Sequence, residues 1–228
     1  MIEGFARLTV PVADDAEADW LALLTSPGGT GGAGALGRTV LVASTTAKKV
    51  EIAFATGDRD SALRLAARRG LEIDSDVVRC RGLAFGFESG SPGARPGVAD
   101  AAYGLDHVVI HTADSEAAVA AYGGRLGLDL RLDREAPQWG ARMMFFRCGD
   151  AVLEVVNPHE GAPPPDRDVI WGIALRVGDL DAIRRRMPSG GDVGLAIGNP
   201  REGRKPGTRV ASVRGTRTPI LLLEPADN

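Results

Sequence analysis

The sequence is poor in the residues that build disulfide frameworks and cysteine metal sites. It has two cysteines in 228 residues, Cys80 and Cys148, and no Cys-x-x-Cys pair. This spacing argues against cysteine-based zinc and redox motifs. Two lone cysteines also fit a reducing cytosol better than a disulfide scaffold. We therefore expect a cytoplasmic protein.

The chain also lacks long apolar runs and a strong charge imbalance. No apolar run approaches the roughly 18 residues that a membrane helix needs, and residues 1–7 contain no apolar signal region. The formal net charge is −3, so no overall field favours nucleic acid. We expect a globular protein with no membrane or nucleic-acid partner, since 44% of its residues are hydrophobic and 25% are charged.

A short pattern occurs four times along the chain. Each copy is an apolar run that ends in aspartate, and the copies are residues 7–14, 51–58, 107–114 and 172–179. Aspartate suits the start of a helix because its carboxylate can accept hydrogen bonds from the N–H groups of the first turn. The pattern therefore predicts four short helices, at residues 16–24, 60–69, 115–126 and 181–187.

Extended runs follow each predicted helix. In the third copy they are residues 128–133, 141–148 and 151–156, and in the fourth they are residues 193–197, 208–214 and 219–224. The repeat therefore predicts an α+β fold of tandem βαβββ modules, with the first two copies abridged. A stretch rich in Gly, Pro and Ala at residues 91–103 predicts a linker between an N-terminal half, 1–90, and a C-terminal half, 104–228.

Three motifs give the repeat a resemblance to a known family. They are Leu-Asp-His-Val-Val-Ile at 105–110, Val-Leu-Glu-Val-Val at 152–156 and Leu-Leu-Leu-Glu-Pro at 221–225. Their order and spacing resemble those of the vicinal oxygen chelate superfamily, which includes glyoxalases, dioxygenases and bleomycin resistance proteins. The resemblance implies two halves of glyoxalase-like, open half-barrel sheets, with the N-terminal half a degenerate copy.

The resemblance also implies a divalent metal ion, which would be iron, zinc, manganese, nickel or cobalt. In this family the first strand of a module offers one ligand, often His, and the last strand offers another, usually Glu. The matching positions here are His107, Glu154 and Glu224, which we predict as metal ligands. The remaining position falls on Gly172, which has no side chain to donate, and an extradiol dioxygenase would be expected to have its second histidine there.

Strand alternation adds two predicted substrate-binding residues. His111 faces the same way as His107, and Arg176 faces the same way as Gly172. An arginine at this position suits a carboxylate or another anionic group of a substrate. The alternative interpretation is that Arg176 pairs with a buried glutamate.

Glu154 is the strongest candidate for chemistry, because it is flanked by Leu153 and Val155 in an apolar strand. Burying a carboxylate without a partner is costly, so Glu154 is expected to bind a cation or to act as a base with a raised pKa. We predict His107 and Glu154 as catalytic residues. The competing interpretation is structural, with His107 satisfied by hydrogen bonds and Glu154 paired with an arginine.

The leading expectation is a small-molecule enzyme of the glyoxalase and dioxygenase type. A metal would act as Lewis acid on a substrate with adjacent oxygens, and a lyase, isomerase or dioxygenase outcome stays open. One alternative is a metal-free binding protein of the bleomycin-resistance type, which the missing ligand at Gly172 favours. Another is a metal-free acid–base enzyme that uses Glu154 and His107. Either a monomer or a homodimer is compatible with the sequence.

Overall fold

The computed structural model describes residues 1–29, 32–90, 100–190 and 194–226. Its helices are α1 Asp15–Thr25, α2 Arg59–Arg68, α3 Ser115–Ala118 and α4 Leu180–Arg186. The strands of the first half are β1 Ile2–Pro11, β2 Ala33–Leu36, β3 Thr39–Ser44, β4 Glu51–Thr56, β5 Glu72–Asp74, β6 Val77–Cys80 and β7 Leu83–Ser89. Those of the second half are β8 Ala102–His111, β9 Asp129–Ala136, β10 Ala141–Cys148, β11 Ala151–Pro158, β12 Val169–Val177, β13 Ala196–Ile197, β14 Arg201–Glu202, β15 Arg209–Arg214 and β16 Ile220–Glu224.

The strands form two open, mixed sheets. The first has seven strands in the order β2-β3-β1-β4-β7-β6-β5. The second has nine, in the order β13-β15-β16-β12-β8-β11-β10-β9, with β14 paired to β15. The predicted α+β fold of glyoxalase-like halves is therefore confirmed. No helix in the described ranges is long and apolar enough to cross a membrane.

All four helices begin at the aspartates that the repeat predicts. The side chains of Asp14, Asp58, Asp114 and Asp179 each accept a backbone N–H of the first turn. The predicted third helix continues from α3 into a π-helix at Val119–Arg125, in which Leu126 N–H donates to the Ala121 carbonyl over 2.9 Å. A local signal, the capping aspartate, therefore fixes where each helix starts.

The second module is not abridged, contrary to our expectation. After α2 it has three strands, β5, β6 and β7. The sequence hides β5 because that strand is short, polar and at the sheet edge, and it turns into β6 through Ser75 and Asp76, both with positive φ. Of the predicted linker, residues 91–99 lie outside the described residues, as does residue 193 of the predicted run 193–197.

The chain divides into two compact units, each described by itself. Unit one comprises Met1–Ala6, Glu51–Ser91 and His107–Trp171, and unit two comprises Arg7–Val50, Pro92–Asp106 and Gly172–Asn228. The sequence-based division at residues 91–103 stays a prediction.

In unit one, β8 and β11 have one fully buried face and one partly exposed face. The fully buried face contains Val108, Ile110, Leu153 and Val155. The opposite face contains His107, Val109 and Glu154, because side chains alternate along a strand and the parallel register places Glu154 opposite Val109. The partly exposed face is where this unit can present polar groups to a ligand.

Candidate functional site

The structure brings His107 and Glu154 together in unit one. Neighbouring parallel strands carry them, with Val152 opposite His107 and Glu154 two residues further on. His107 Nε2 lies 3.4 Å from Glu154 Oε2. The side chains are only 18% and 10% exposed, so the contact is largely shielded from bulk water. A carboxylate and an imidazole at this separation can share and pass on a proton.

Apolar side chains surround the carboxylate on the same face. Phe145 of β10 lies directly opposite Glu154, and Met143 lies opposite Val156. Phe145, Val156 and Trp139 pack against a buried cluster that includes Met143. Charges act over longer distances in such surroundings than in water. The sequence contained the signal for Phe145: the extended runs 141–148 and 151–156 are separated only by Gly149 and Asp150, and a two-residue hairpin turn there pairs residues 145 and 154.

His111 lies near the end of β8 and stacks on an indole ring. Its ring centroid is 5.4 Å from that of Trp171, with 13° between the planes. Trp171 is 53% exposed. Burial lowers the pKa of His111 below its ordinary value of 6.5, so the imidazole is neutral at pH 7. His111 can therefore offer a hydrogen bond or a ring face to a ligand, but no positive charge. Sequence reasoning missed Trp171.

Glu224 lies in unit two, where other groups engage its carboxylate. Oε2 accepts a 2.7 Å hydrogen bond from the Leu180 N–H, at the start of α4. The Arg209 guanidinium contacts both oxygens at 3.3 Å. Arg176 pairs with Leu223 in the register of β12 and β16, so Glu224 faces the opposite side of these strands from Arg176. This geometry argues against a ligand role for Glu224, which stays a prediction.

Gly172 and Arg176, the other candidate positions of the fourth repeat, also lie in unit two. A Cβ at Gly172 would lie 2.7 Å from the Pro219 carbonyl oxygen, so the close backbone approach excludes a larger side chain there. Arg176 donates from Nε and Nη2 to the Leu105 carbonyl oxygen and lies 3.6 Å from Asp106 Oδ2. Its expected role in substrate binding stays a prediction.

The side chains of the site supply only part of the donor set that the predicted metal ion needs. An imidazole nitrogen and a carboxylate oxygen suit zinc, iron or manganese. His107 and Glu154 supply these two donors, but the described residues contain no group of three or more His, Cys, Asp or Glu that could hold a metal. The predicted third ligand, Glu224, accepts hydrogen bonds from Leu180 and Arg209. The side chains present therefore do not fit a three-ligand centre.

Sequence comparison finds a family similar to part of the C-terminal half. Residues 106–211 match the Glyoxalase/Bleomycin resistance protein/Dioxygenase superfamily. The resemblance inferred from the three motifs is therefore confirmed. An ethylmalonyl-CoA/methylmalonyl-CoA epimerase from Cereibacter sphaeroides is 28% identical over 130 residues, which cover 54% of this chain and 89% of that protein.

Solved structures match the fold of the whole chain. A mutant of 4-hydroxymandelate synthase from Streptomyces coelicolor is 16% identical, covers 100% of this chain and 94% of its own, and gives a TM-score of 0.69. The Mn(II)-bound glyoxalase from Novosphingobium aromaticivorans is also 16% identical, covers 99% of this chain and 83% of its own, and gives 0.67. At this identity the similarity establishes the fold alone.

Proposed function

We propose that this protein is a small-molecule enzyme that transfers a proton with the His107–Glu154 pair. The observation that carries the proposal is the 3.4 Å contact between a shielded imidazole and a shielded carboxylate. Of the predicted site residues, these two lie side by side in one unit. Imidazole and carboxylate groups are the commonest general acids and bases in enzymes.

Glu154 is the group that we assign to proton abstraction. Its side chain is the less exposed of the two, and Phe145 lies opposite it in the strand register. Its oxygens can accept a proton from a substrate bound on this face of the sheet. His107 holds the carboxylate in place from 3.4 Å and can take up or return a proton itself.

The proposed substrate is a carbon acid whose labile hydrogen lies beside a carbonyl group. The epimerase from Cereibacter sphaeroides supports this class, since its name describes inversion at a carbon atom of malonyl-type thioesters. Removal of the carbon-bound proton leaves an enolate. Return of a proton to either face of this enolate gives an isomerase reaction without a net change in oxidation state. No step in this scheme runs through a metal ion.

Hydrogen exchange tests the proposal. The protein is incubated with methylmalonyl-CoA or ethylmalonyl-CoA in heavy water, and deuterium at the carbon between the two carbonyl groups is measured by mass spectrometry. We expect exchange above the enzyme-free rate, reduced about 100-fold or more in Glu154→Gln. Glu160→Gln, the same change at an exposed glutamate, is the matched control. No exchange with either thioester would refute this substrate class, and full exchange in both Glu154→Gln and His107→Asn would remove the pair from the chemistry.

The metal-assisted reaction remains the competing proposal for the same pair. Elemental analysis of protein purified without a histidine tag separates the two. One metal ion per chain, lost in both His107→Ala and Glu154→Gln, would support a metal centre. Exchange that persists unchanged after treatment with a chelator supports proton transfer by the two side chains alone.

A further inference from the structure

Unit two contains a cavity whose lining includes none of the residues assigned above. It has a volume of about 500 Å³ and lies between α4 and the strands β13 and β15. Small-molecule sites usually have volumes of about 300–1,000 Å³. Three arginines, Arg184, Arg185 and Arg214, line this cavity together with Met187 and Ile197.

The cavity has an excess of positive charge. Its one acidic lining residue, Asp181, forms a 2.8 Å ion pair with Arg209, and this contact lowers the pKa of the Asp181 carboxyl. The negative charge of Asp181 is therefore already balanced by an arginine outside the lining.

Among the described residues, no hydrogen bond or ion pair joins the three lining arginines to a carboxylate, although Asp181 attracts Arg185 and Arg184 at longer range. Arg184 Nη2 donates to the neutral Asn199 Oδ1 over 2.6 Å. For the side chains of Arg185 and Arg214, the described part of the chain provides neither a hydrogen bond nor an ion pair. Guanidinium groups have several N–H donors in one plane, which suits them to bind the oxygens of an anion.

The cavity also has an apolar part. Met187 and Ile197 are 5% and 7% exposed and line the cavity beside the arginines. Arg214 lies close to Gly198: a Cβ there would lie 3.8 Å from both Arg214 Nε and Nη2, an ordinary van der Waals contact. The lining thus combines cationic donors with an apolar surface, as a ligand with a charged head and a nonpolar body requires.

We propose that this cavity is a binding site for a small organic phosphate. The arginines would bind the dianionic phosphoryl group through charge-assisted hydrogen bonds, and the Met187 and Ile197 side chains would pack against the organic body. The site is independent of proton transfer by His107 and Glu154, so either proposal can fail without the other.

Calorimetric titration with three probes tests this site: phenyl phosphate, inorganic phosphate and phenol. We expect phenyl phosphate to bind most tightly, because it alone uses both parts of the lining. Arg185→Gln/Arg214→Gln should weaken its binding about tenfold or more, as charge-assisted hydrogen bonds are lost. The matched control, Arg64→Gln/Arg68→Gln, removes the same charge from α2 and should leave the affinity unchanged.

An isosteric variant tests the charge of the cavity without removing an arginine. Asn199→Asp keeps the oxygen that accepts from Arg184 but adds a negative charge, so it should weaken phenyl phosphate binding about tenfold while the protein keeps its melting temperature. The proposal is overturned if phenyl phosphate fails to bind at millimolar concentration, or binds the arginine double variant as tightly as the wild type. Equal affinity for inorganic and phenyl phosphate would overturn the assignment of an organic body.

Discussion

The carboxylate of Glu224 accepts a 2.7 Å hydrogen bond from the backbone N–H of Leu180, the first residue of α4. It thereby satisfies one of the N–H groups that a helix leaves unpaired at its start. A negative charge at this end also interacts favourably with the helix dipole. Glu224 is therefore bound at one end of α4 by contacts that stabilise the fold.

Glu224→Ala should destabilise the protein without changing its proton-transfer activity. We expect a loss of about 1–2 kcal/mol in the free energy of unfolding, because α4 loses a capping acceptor and Arg209 loses an ion pair. Deuterium exchange per folded molecule should stay at the wild-type level. Glu202→Ala, at an exposed glutamate of β14, is the control for a simple loss of charge. If Glu224→Ala instead loses a stoichiometric metal ion at unchanged stability, Glu224 is a metal ligand.

A substitution at Gly172 tests why the fourth module has no side chain at the position where the family has a metal ligand. Gly172→Ala places a Cβ 2.7 Å from the Pro219 carbonyl oxygen, which also accepts the Ile173 N–H over 3.0 Å. We expect a destabilisation of about 1–3 kcal/mol, measured by chemical denaturation. Gly124→Ala, where no atom lies within 4 Å of the added Cβ, should be close to neutral. Equal stability of the two variants would contradict the steric explanation.

Sequence information was sufficient for features that depend on neighbouring residues. The four capping aspartates predict the starts of the four α-helices. The family resemblance, and not a local pattern, indicated that His107 and Glu154 lie together. A short motif alone does not show which face of its strand each aligned glutamate lies on. In Leu-Leu-Leu-Glu-Pro the glutamate falls on the face of the fully buried Leu222, whereas in Val-Leu-Glu-Val-Val it falls opposite the fully buried Leu153. A shift of one residue reverses the face of a strand.

The contact between His111 and Trp171 could not be predicted either. Trp171 stacks on His111 across 60 residues of chain, and neither residue has a neighbour in sequence that indicates the other. Such pairs depend on how the strands are arranged in the folded chain, and the local sequence pattern contains no information about that arrangement.

We expect the stability of the protein to depend on pH through His111, which stacks on Trp171. Burial lowers the pKa of His111 below its ordinary value of 6.5. The unfolded chain therefore binds more protons in the interval between the two pKa values, and stability increases with pH there. The stabilisation from neutral His111 is present above about pH 6.5 and is lost as the pH falls through the folded-state pKa.

Trp171→Ala should expose His111 and raise its pKa towards 6.5, as measured by NMR titration of the imidazole. The acid-dependent fall in melting temperature between about pH 7 and 5 should become shallower than in the wild type. Trp139→Ala, which removes an indole that contacts Arg134, is the control. An unchanged His111 pKa in Trp171→Ala would show that the indole does not cause the shift.

We expect the largest loss of stability from a substitution at Asp168. Its side chain is fully buried, and Oδ2 accepts hydrogen bonds from Arg81 Nε over 2.9 Å and from the Tyr122 hydroxyl over 2.6 Å. Oδ1 has no partner among the described residues. Asp168→Asn keeps the shape of the side chain but leaves the shielded Arg81 cation without its anion, which costs about 3 kcal/mol. Denaturant unfolding measures this loss.

Two further variants distinguish the contribution of the Asp168 charge to stability from that of its hydrogen bond with Tyr122. Tyr122→Phe removes only the hydroxyl contact and should cost about 1–2 kcal/mol, less than Asp168→Asn. Asp166→Asn, the same change at an exposed residue two positions earlier, should be close to neutral. If Asp168→Asn is as stable as Asp166→Asn, the ion pair with Arg81 contributes nothing beyond what a neutral hydrogen bond provides. In that case the burial of the carboxylate offsets its attraction to the guanidinium.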